Sequence, residues 1–410
     1  MLVVASWYPS GPADTRATFF REHAEALVRR GHAVTVLAPE RRFPRSVRSA
    51  FRALGPVGRG FARTDEDGVV VYRNRAPRLL PARFFPLVEE RAIVRDALRL
   101  LPALQKAHGP FDIVHAHSAY WGGAVGLAIA ERIAAPLLVT EHRSNLLTGR
   151  FPDGVKAELR RVFAGADIVA AVSDELAAAL RDGYGVPAPR CVVLPNLVSP
   201  VFFSGPAGSG AGTRGLGFRF CSVAGFVPLK RHDLLLRAFA SVLREHPEAA
   251  LTLVGDGPLA PGLRSLAADL GLGDSVRWTG RLPLERVAAE MRVSDALVLS
   301  SDAETFGVVL AEAWACGIPV VATRCGGPDS MVDACNGILV QPGFAEALAA
   351  GMETMLRSRD AYDGAAIRRR ALERYGEDAV LARTVEAYRL ARDNSLARDN
   401  SRAMEKPCTD

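Results

Sequence analysis

The sequence predicts an α/β protein built as two doubly wound domains, each a parallel sheet with helices on both faces. Three observations predict it. Short apolar runs alternate with helical patterns along almost the whole chain, as parallel strands joined by crossover helices do. At 410 residues the chain is long enough for two domains. Near the middle, a Gly/Ser/Pro-rich stretch, SGPAGSGAGTRGLG (204–217), interrupts the alternation and reads as a linker or tip loop.

Taken in order, strands of the first half fall at 2–5, 33–37, 69–72, 113–116, 137–140, 168–172 and 191–194. Helices lie between them, one over 18–30 that stops at Gly31. Alternation resumes with strands at 218–223, 249–254, 275–278, 296–299 and 319–322. The expected organisation is a first domain over 1–198, a linker over 199–217 and a second domain over 218–370. A helix over 371–392 is expected to pack back on the first domain, with the two sheets facing across a cleft. The last segment, 393–410, reads as a disordered tail. It contains most of a tandem repeat, LARDNS-LARDNS (390–401), too short for a solenoid.

Composition narrows the class. The chain is 49% hydrophobic and 23% charged, ordinary for a globular enzyme. No apolar run reaches the ~18 residues a bilayer span needs, and the first residues, MLVVASWYP, read as a strand and not as a signal peptide. Cys191, Cys221, Cys316, Cys325, Cys335 and Cys408 show neither CxxC nor metal-ligand spacing, which fits reduced thiols of a cytoplasmic protein. The net charge of +6 is uneven, with 19 Lys+Arg against 10 Asp+Glu in residues 1–110. Arg41, Arg42, Arg45, Arg48, Arg52, Arg59 and Arg63, interrupted by Phe43, Phe51 and Phe61, form a basic, aromatic-dotted run. Such a run suits peripheral contact with an anionic membrane or a lipid-phosphate acceptor. The competing reading is an arginine-biased flexible loop, since the chain has only four lysines. No nucleic-acid-binding motif accompanies the charge.

The densest chemistry lies in SSDAETFGVVLAEAWACGIPVVAT (300–323), where Glu304 and Glu312 bracket a turn into a helix. The apolar run 296–299 predicts a buried strand. A polar loop carrying Glu304 follows, and a helix starts near Phe306 and Gly307 and stops at Gly317. Free N–H groups at a helix N-terminus, opening at the carboxyl end of a strand, favour an anion such as a phosphate. On one regular helix the two carboxylates would stand roughly 12 Å apart. A glycosidase pair requires about 5–9.5 Å, so a shared hydrolytic proton is excluded on that geometry. Two acceptors gripping different hydroxyls of one long ligand fit better, and two solvated helix-face glutamates compete with that reading.

Lys230, in SVAGFVPLKRHDLLLRAFA (222–240), follows a strand at the same end of its sheet, just before a helix whose N-cap region is His232-Asp233. An ammonium there can neutralise a pyrophosphate leaving group, although a plain surface lysine is the alternative. LTLVGDGPL (251–259) has only a lone G-x-G with Pro258 behind it and reads as a turn closing a strand. The first domain also lacks G-x-G-x-x-G, against a dinucleotide-dependent oxidoreductase. FDIVHAHSAYWGG (111–123) and TEHRSN (140–145) put His115, His117, Glu141 and His142 at strand ends. His115 and His117 share a face if the strand reaches that far. Nothing in the sequence specifies the third ligand a metal site needs, so each histidine is either a substrate donor or a structural group.

In this order, SWYPS (6–10), FFREHAEALVRRGHAVTVLAP (19–39), DIVHAHSAYWGG, LLVTEH, ADIVAAVSDEL (166–176) and VLPNLV (193–198) resemble a known family. VPLKRHDLLLRAF, LTLVGDGPL, VRWTGRLP (276–283) and ETFGVVLAEAWACGIPVVATRCGG (304–327) extend the resemblance over about residues 1–385. It is to the retaining glycosyltransferases of family 4 (glycosyl transferases group 1), which have the GT-B fold. The resemblance implies transfer of a sugar from a nucleoside-diphosphate sugar to an acceptor hydroxyl with retention, in cell-envelope, exopolysaccharide or glycolipid synthesis. The acceptor would be a saccharide or lipid-linked. Neither cofactor nor metal is expected, and the leaving phosphate would itself take the acceptor proton. Glu304 would bind donor-sugar hydroxyls, and the backbone of Phe306, Gly307 and Val308 would receive the pyrophosphate. Glu312 would hold the ribose hydroxyls, Lys230 would assist departure of the diphosphate, and His117 and His142 would line the sugar and acceptor side. The loop at 280–283 would border the base.

Two positions depart from the family pattern. Five residues before the lysine, where many members carry a phosphate-binding arginine, stands Gly225, which leaves Arg231 as the nearest substitute. Residues 10–16 replace the usual Gly-Gly loop. A sugar-nucleotide epimerase of the same fold, or a non-catalytic glycosyltransferase-like partner protein, is the alternative.

Overall fold

The structure is a computed structural model that describes residues 1–11, 14, 18–41, 60–78, 85–206 and 217–404. Most of the basic run (Arg42, Phe43, Arg45, Arg48, Phe51, Arg52, Arg59), most of the replaced loop, the centre of the 204–217 stretch and the last six residues lie outside the described residues. The chain divides into two compact units. One comprises Met1–Val172, Ala177–Leu194 and Leu381–Asp410; the other Ser173–Leu176 and Pro195–Val380.

The first unit runs β1 (Leu2–Ala5), α1 (Thr18–Arg29), β2 (Thr35–Ala38), β3 (Phe61–Glu66), β4 (Val69–Asn74), α2 (Pro86–His108), β5 (Val114–His117), α3 (Ala124–Ile133), β6 (Leu137–Glu141), α4 (Asp153–Gly165), β7 (Ile168–Ala171), α5 (Asp174–Tyr184) and β8 (Cys191–Val193). Its sheet has the order β3-β4-β2-β1-β5-β6-β7-β8. The central strands β1, β2, β5, β6 and β7 are buried along their whole length, as covering helices on both faces require. One strand departs from the all-parallel expectation: β3 pairs antiparallel with β4. The hairpin turns at Asp67 and Gly68, both with positive φ, the Asp-Gly geometry that matches strand twist. Because β3 is a half-exposed edge strand, FARTDE lacks the apolar run that marks the others.

The second unit runs β9 (Arg219–Val223), α6 (His232–Glu245), β10 (Ala250–Val254), α7 (Ala260–Asp269), β11 (Val276–Gly280), α8 (Leu284–Arg292), β12 (Ala296–Leu299), α9 (Val308–Ala315), β13 (Val320–Thr323), β14 (Gly337–Val340), α10 (Ala345–Arg357) and α11 (Gly364–Tyr375). Its order is β11-β10-β9-β12-β13-β14 with every pair parallel. The core gathers Phe220, Leu235, Phe239, Val242, Leu251, Leu253, Val298, Val321 and Met352. On α6, Leu235, Leu236, Phe239 and Val242 recur at helical spacing and bury that helix against α10 and the sheet. At roughly 25 cal/mol per Å² of apolar surface, each such side chain contributes about 1.5–3 kcal/mol.

In both sheets the strand order reverses at one point, between β1 and β5 and between β9 and β12. Ligands of open α/β sheets bind beyond the strand carboxyl ends at such reversals. Those four ends carry Ser6, His117, the Ala224–Lys230 segment and the Ser300–Glu304 loop.

A long helix, α12 (Glu377–Met404), closes the chain. The disordered tail expected from residue 393 is instead helical to Met404. Ser395 is buried, Asn394 Nδ2 donates to the Asp167 carbonyl at 3.0 Å, and Arg398 pairs with the buried Asp167 carboxylate at 2.8 Å. Six residues advance a helix by ~240° beyond a full turn, so equivalent positions of the two LARDNS copies face different directions. Arg398 therefore bonds inward, whereas Arg392 is largely exposed.

Candidate active site

In the second unit, β9 leads through Ala224–Val227 into a single 3-10 turn, Pro228–Lys230, and then α6. The helix N-cap is Arg231, in the left-handed region at φ 47°, one residue before the expected His232-Asp233. From β12 the chain enters the loop Ser300–Gly307. Glu304 forms an isolated parallel bridge with Gly326: its N–H donates to the Cys325 carbonyl at 2.8 Å, and its carbonyl accepts from Gly327 at 2.8 Å. Glu304 thus sits in a pinned loop four residues before α9, so the on-helix spacing to Glu312 does not apply. Gly327 is indispensable here, since a Cβ would lie 2.5 Å from the Thr305 carbonyl and 2.6 Å from Phe306 Cα.

The two strand ends meet in one ion pair. Lys230 Nζ donates to Glu304 Oε1, which also accepts from Ser301 Oγ at 2.6 Å. Ser300 Oγ donates to the Lys230 carbonyl at 2.8 Å and Asp302 N to the Leu229 carbonyl at 2.9 Å, stitching the two loops together. Both charged side chains are mostly buried yet reachable, 25% exposed for Lys230 and 12% for Glu304. Burial pushes the neighbouring Cys325 thiol up to about 12, which keeps it un-ionised and removes it as a nucleophile.

Helix α9 begins after Gly307, whose φ of 77° favours glycine. Among the described residues no acceptor takes the N–H of Gly307 or Val308, the groups a helix start leaves open. Phe306 is buried and packs edge-on against Tyr375 at 5.5 Å. It fixes the loop through its side chain while its backbone stays at the helix mouth. Glu312 is a half-buried residue further along α9. Arg231 is not a spare cation: its guanidinium is divided between Asp233 at 3.1 Å and Asp302 at 3.1 Å. Gly255 and Gly257 let the turn after β10 pack on the Ala224–Phe226 backbone, where a Cβ would meet carbonyl oxygens at 1.9 and 2.5 Å. At Gly225, by contrast, an added Cβ meets only the Asp256 carbonyl, at 3.8 Å.

In the first unit β5 extends to His117, and the rings of His115 and His117 lie 4.2 Å apart on one face. His117 Nδ1 is 3.1 Å from His142 Nε2, so the structure brings these two expected residues together. His117 Nε2 is buried with no partner among the described residues. Glu141 is a turn clamp: its carboxylate accepts from the N–H groups of Ala119, His142 and Arg143 at 2.7–2.9 Å. The backbone leaving β5 is strained, with Ser118 at φ 65° and Trp121 at φ 67°, as functional loops often are. Ser6, after β1, accepts from Gly122 N at 2.9 Å, and a Cβ on Gly122 would approach Ser6 Oγ to 2.6 Å.

Sequence reasoning missed two features of this cluster. His23, on α1, supplies the third imidazole that the sequence did not specify. One ring nitrogen from each of His23, His115 and His117 lies within 4.8 Å of the others. These three could approach a metal, but His115 already has Thr140 Oγ1 at 2.8 Å and Tyr388 Oη at 2.9 Å on its two nitrogens. Burial holds all three well below the usual histidine range, His23 at about 4, so they are neutral. Arg143 lies over the rings of Trp7 at 4.2 Å and Tyr120 at 4.8 Å. Only its place beside His142 could have signalled it.

Comparison with known proteins shows the family and the fold. Residues 17–202 match the family described as Glycosyltransferase Family 4, and residues 215–378 match Glycosyl transferases group 1. D-inositol 3-phosphate glycosyltransferase of Kribbella flavida is 33% identical over 358 residues, covering 80% of this chain and 80% of that protein. The protein of the same name from Nocardia farcinica is 32% identical, and the match spans 68% of this chain and 65% of that one. Among solved structures, sucrose-phosphate synthase from Thermosynechococcus elongatus aligns over 95% of this chain and 97% of its own with a TM-score of 0.76 at 20% identity. The chain belongs to glycosyltransferase family 4. It is a GT-B transferase, and the epimerase and non-catalytic readings gain no support from these relatives.

Proposed function

We propose that the protein transfers a sugar from a nucleoside-diphosphate sugar to an acceptor hydroxyl with retention of configuration, using the Lys230–Glu304 pair and the start of α9. The observation that carries this reading is the ion pair itself. It holds a carboxylate and an ammonium side by side at the strand reversal, and the loop that carries Glu304 leads within four residues to the open N–H groups of Gly307 and Val308. The ammonium and the helix start form a preorganised positive field for a departing diphosphate. Glu304, held by Ser301 and Lys230, keeps its second oxygen available to accept from donor-sugar hydroxyls. Glu312, further along α9, is assigned the ribose hydroxyls, and His117 and His142 the sugar and acceptor side. In this scheme the leaving phosphate accepts the acceptor proton as the glycosidic bond forms, so no protein base is invoked.

The names of two relatives support a class of acceptor. Both are named D-inositol 3-phosphate glycosyltransferase, and D-inositol 3-phosphate is a phosphorylated polyol. An anionic acceptor of this kind, free or lipid-linked and destined for the cell envelope, suits the basic first unit. No helix among the described residues is long and apolar enough to cross a membrane, so contact with an anionic bilayer would be peripheral. A thermal-shift screen against UDP-, GDP- and ADP-sugars, followed by product analysis with inositol 3-phosphate, tests the reading. Stabilisation by one nucleotide sugar and a glycosylated product are expected. No shift with any nucleotide sugar would overturn the donor assignment.

A further inference from the structure

Away from the strand ends, the helical layer of the first unit holds a cavity of about 640 Å³ between α2, α3 and α4. Its volume lies within the range of small-molecule sites. Its wall is strongly basic: Arg91, Arg95 and Arg99 form one stripe along α2 at four-residue spacing, and Arg132 from the end of α3 joins them. None of these four makes an ion pair among the described residues; the cavity's other arginine, Arg161, is bidentate on Glu158. All four arginines are exposed to solvent, and a bound anion would offset the mild mutual repulsion of the i,i+4 stripe. Between the guanidinium groups the lining is apolar, with Leu87, Val94 and Leu98 half-buried.

We infer that this cavity binds a phosphate ester carried on an apolar chain, with the arginine stripe on the phosphoryl oxygens and Leu87, Val94 and Leu98 against the hydrocarbon. A second observation points the same way. Glu90, only 5% exposed, lines the cavity, and its Oε2 has no partner among the described residues. Burial, with Glu158 nearby, raises its carboxyl to about 7, so near neutrality a large share is protonated. A neutral carboxyl donates to a phosphoryl oxygen, where a carboxylate would repel it. This site is separate from the donor groups and does not depend on them.

Calorimetric titration with monomeric dihexanoyl phosphatidylglycerol tests it, with dihexanoyl phosphatidylcholine and inorganic phosphate as comparisons. Binding to the anionic lipid is expected to weaken roughly tenfold or more in the double variant Arg95→Ser/Arg99→Ser and to stay unchanged in Lys230→Ala. Leu98→Ser should weaken it severalfold. Equal binding of phosphatidylcholine, equal binding of inorganic phosphate, or full affinity in the double arginine variant would each overturn the site. Co-sedimentation with phosphatidylglycerol vesicles that the double variant abolishes would support it with a membrane as the source. Binding of the monomer without co-sedimentation would support it with free lipid as the source.

Discussion

Lys230 Nζ and Glu304 Oε1 are bonded across 74 residues of sequence, each delivered by the carboxyl end of a different strand. The pair exists because β9 and β12 are neighbours at the point where the strand order of the sheet reverses. Either partner alone would lose its fixed position, so each is expected to be needed for transfer but not for folding. Glu304→Ala and Lys230→Ala should each lower kcat roughly a hundred- to a thousand-fold, the scale of losing one preorganised charge contact. Circular dichroism should remain that of the wild type. Near-normal turnover in either variant would remove the pair from the mechanism.

Gly307 offers a test of the helix start that leaves the charges in place. Its φ of 77° disfavours any L side chain, and a Cβ would come 3.3 Å from Leu310 Cδ1. Gly307→Ala should cost about 1–2 kcal/mol of stability and tilt the first N–H groups of α9. The donor KM should rise more than kcat falls. A variant with wild-type donor KM would show that the phosphates do not use this helix start.

The absent arginine can be restored. A Cβ at Gly225 would meet only the Asp256 carbonyl, at an ordinary contact distance of 3.8 Å, whereas Arg231 is occupied by Asp233 and Asp302. One further charge-assisted bond is worth roughly 1.5–3 kcal/mol, so Gly225→Arg should lower the donor KM by about tenfold or more. Steady-state kinetics with saturating acceptor measure this. An unchanged KM in a folded variant would place the phosphates elsewhere than beside Gly225.

Much of this site could be read from residue order, because strand ends and helix starts leave local marks. The run Ala296–Leu299, the polar loop and the Gly317 stop located Glu304 and α9 to within two residues. What escaped depends on groups distant in sequence. The ties of Arg231 to Asp302, 71 residues away, and of His115 to Tyr388, 273 away, leave no periodicity to detect. Edge strand β3 escaped for another reason: with one side in solvent it does not need an apolar sequence. The part of the final helix beyond residue 392 reads as a tail in the sequence because its inward contacts, Asn394 and Arg398, are polar.

His23 makes a prediction about pH. Its nitrogen lies 3.1 Å from Thr384 Oγ1 inside the neutral histidine cluster, and burial lowers its pKa from 6.5 to about 4. In the unfolded chain it takes a proton near 6.5, whereas the folded protein resists until about 4. Its contribution is therefore intact above pH 6.5 and is lost as pH falls toward 4, by roughly 3 kcal/mol. Glu22 has the opposite sign, since burial raises it to about 7, so the informative measurement is a comparison with His23→Gln. Chemical denaturation at pH 7.5 and pH 5 should show the variant losing less stability on acidification than the wild type. Parallel losses would mean that His23 takes up its proton at the same pH in the folded and unfolded chains.

The closing helix makes the last prediction. Asp167 is buried with its side chain 2% exposed, and its carboxylate is satisfied by Leu137 N at 2.8 Å and by Arg398. Ending the chain after Asp393 removes Arg398 and also Asn394, which caps the Asp167 carbonyl. A buried carboxylate deprived of its cation is costly, but Arg398 is itself 36% exposed, so the expected loss is about 1–2 kcal/mol. A full-length Arg398→Met chain should lose most of that amount, since it keeps the apolar stem and the helix but not the charge. Denaturation midpoints of the truncated, substituted and intact chains compare these directly. If the truncated chain matched the intact one, the second LARDNS copy would be a passenger; a loss shared by truncation and Arg398→Met would assign its role to the single contact with Asp167.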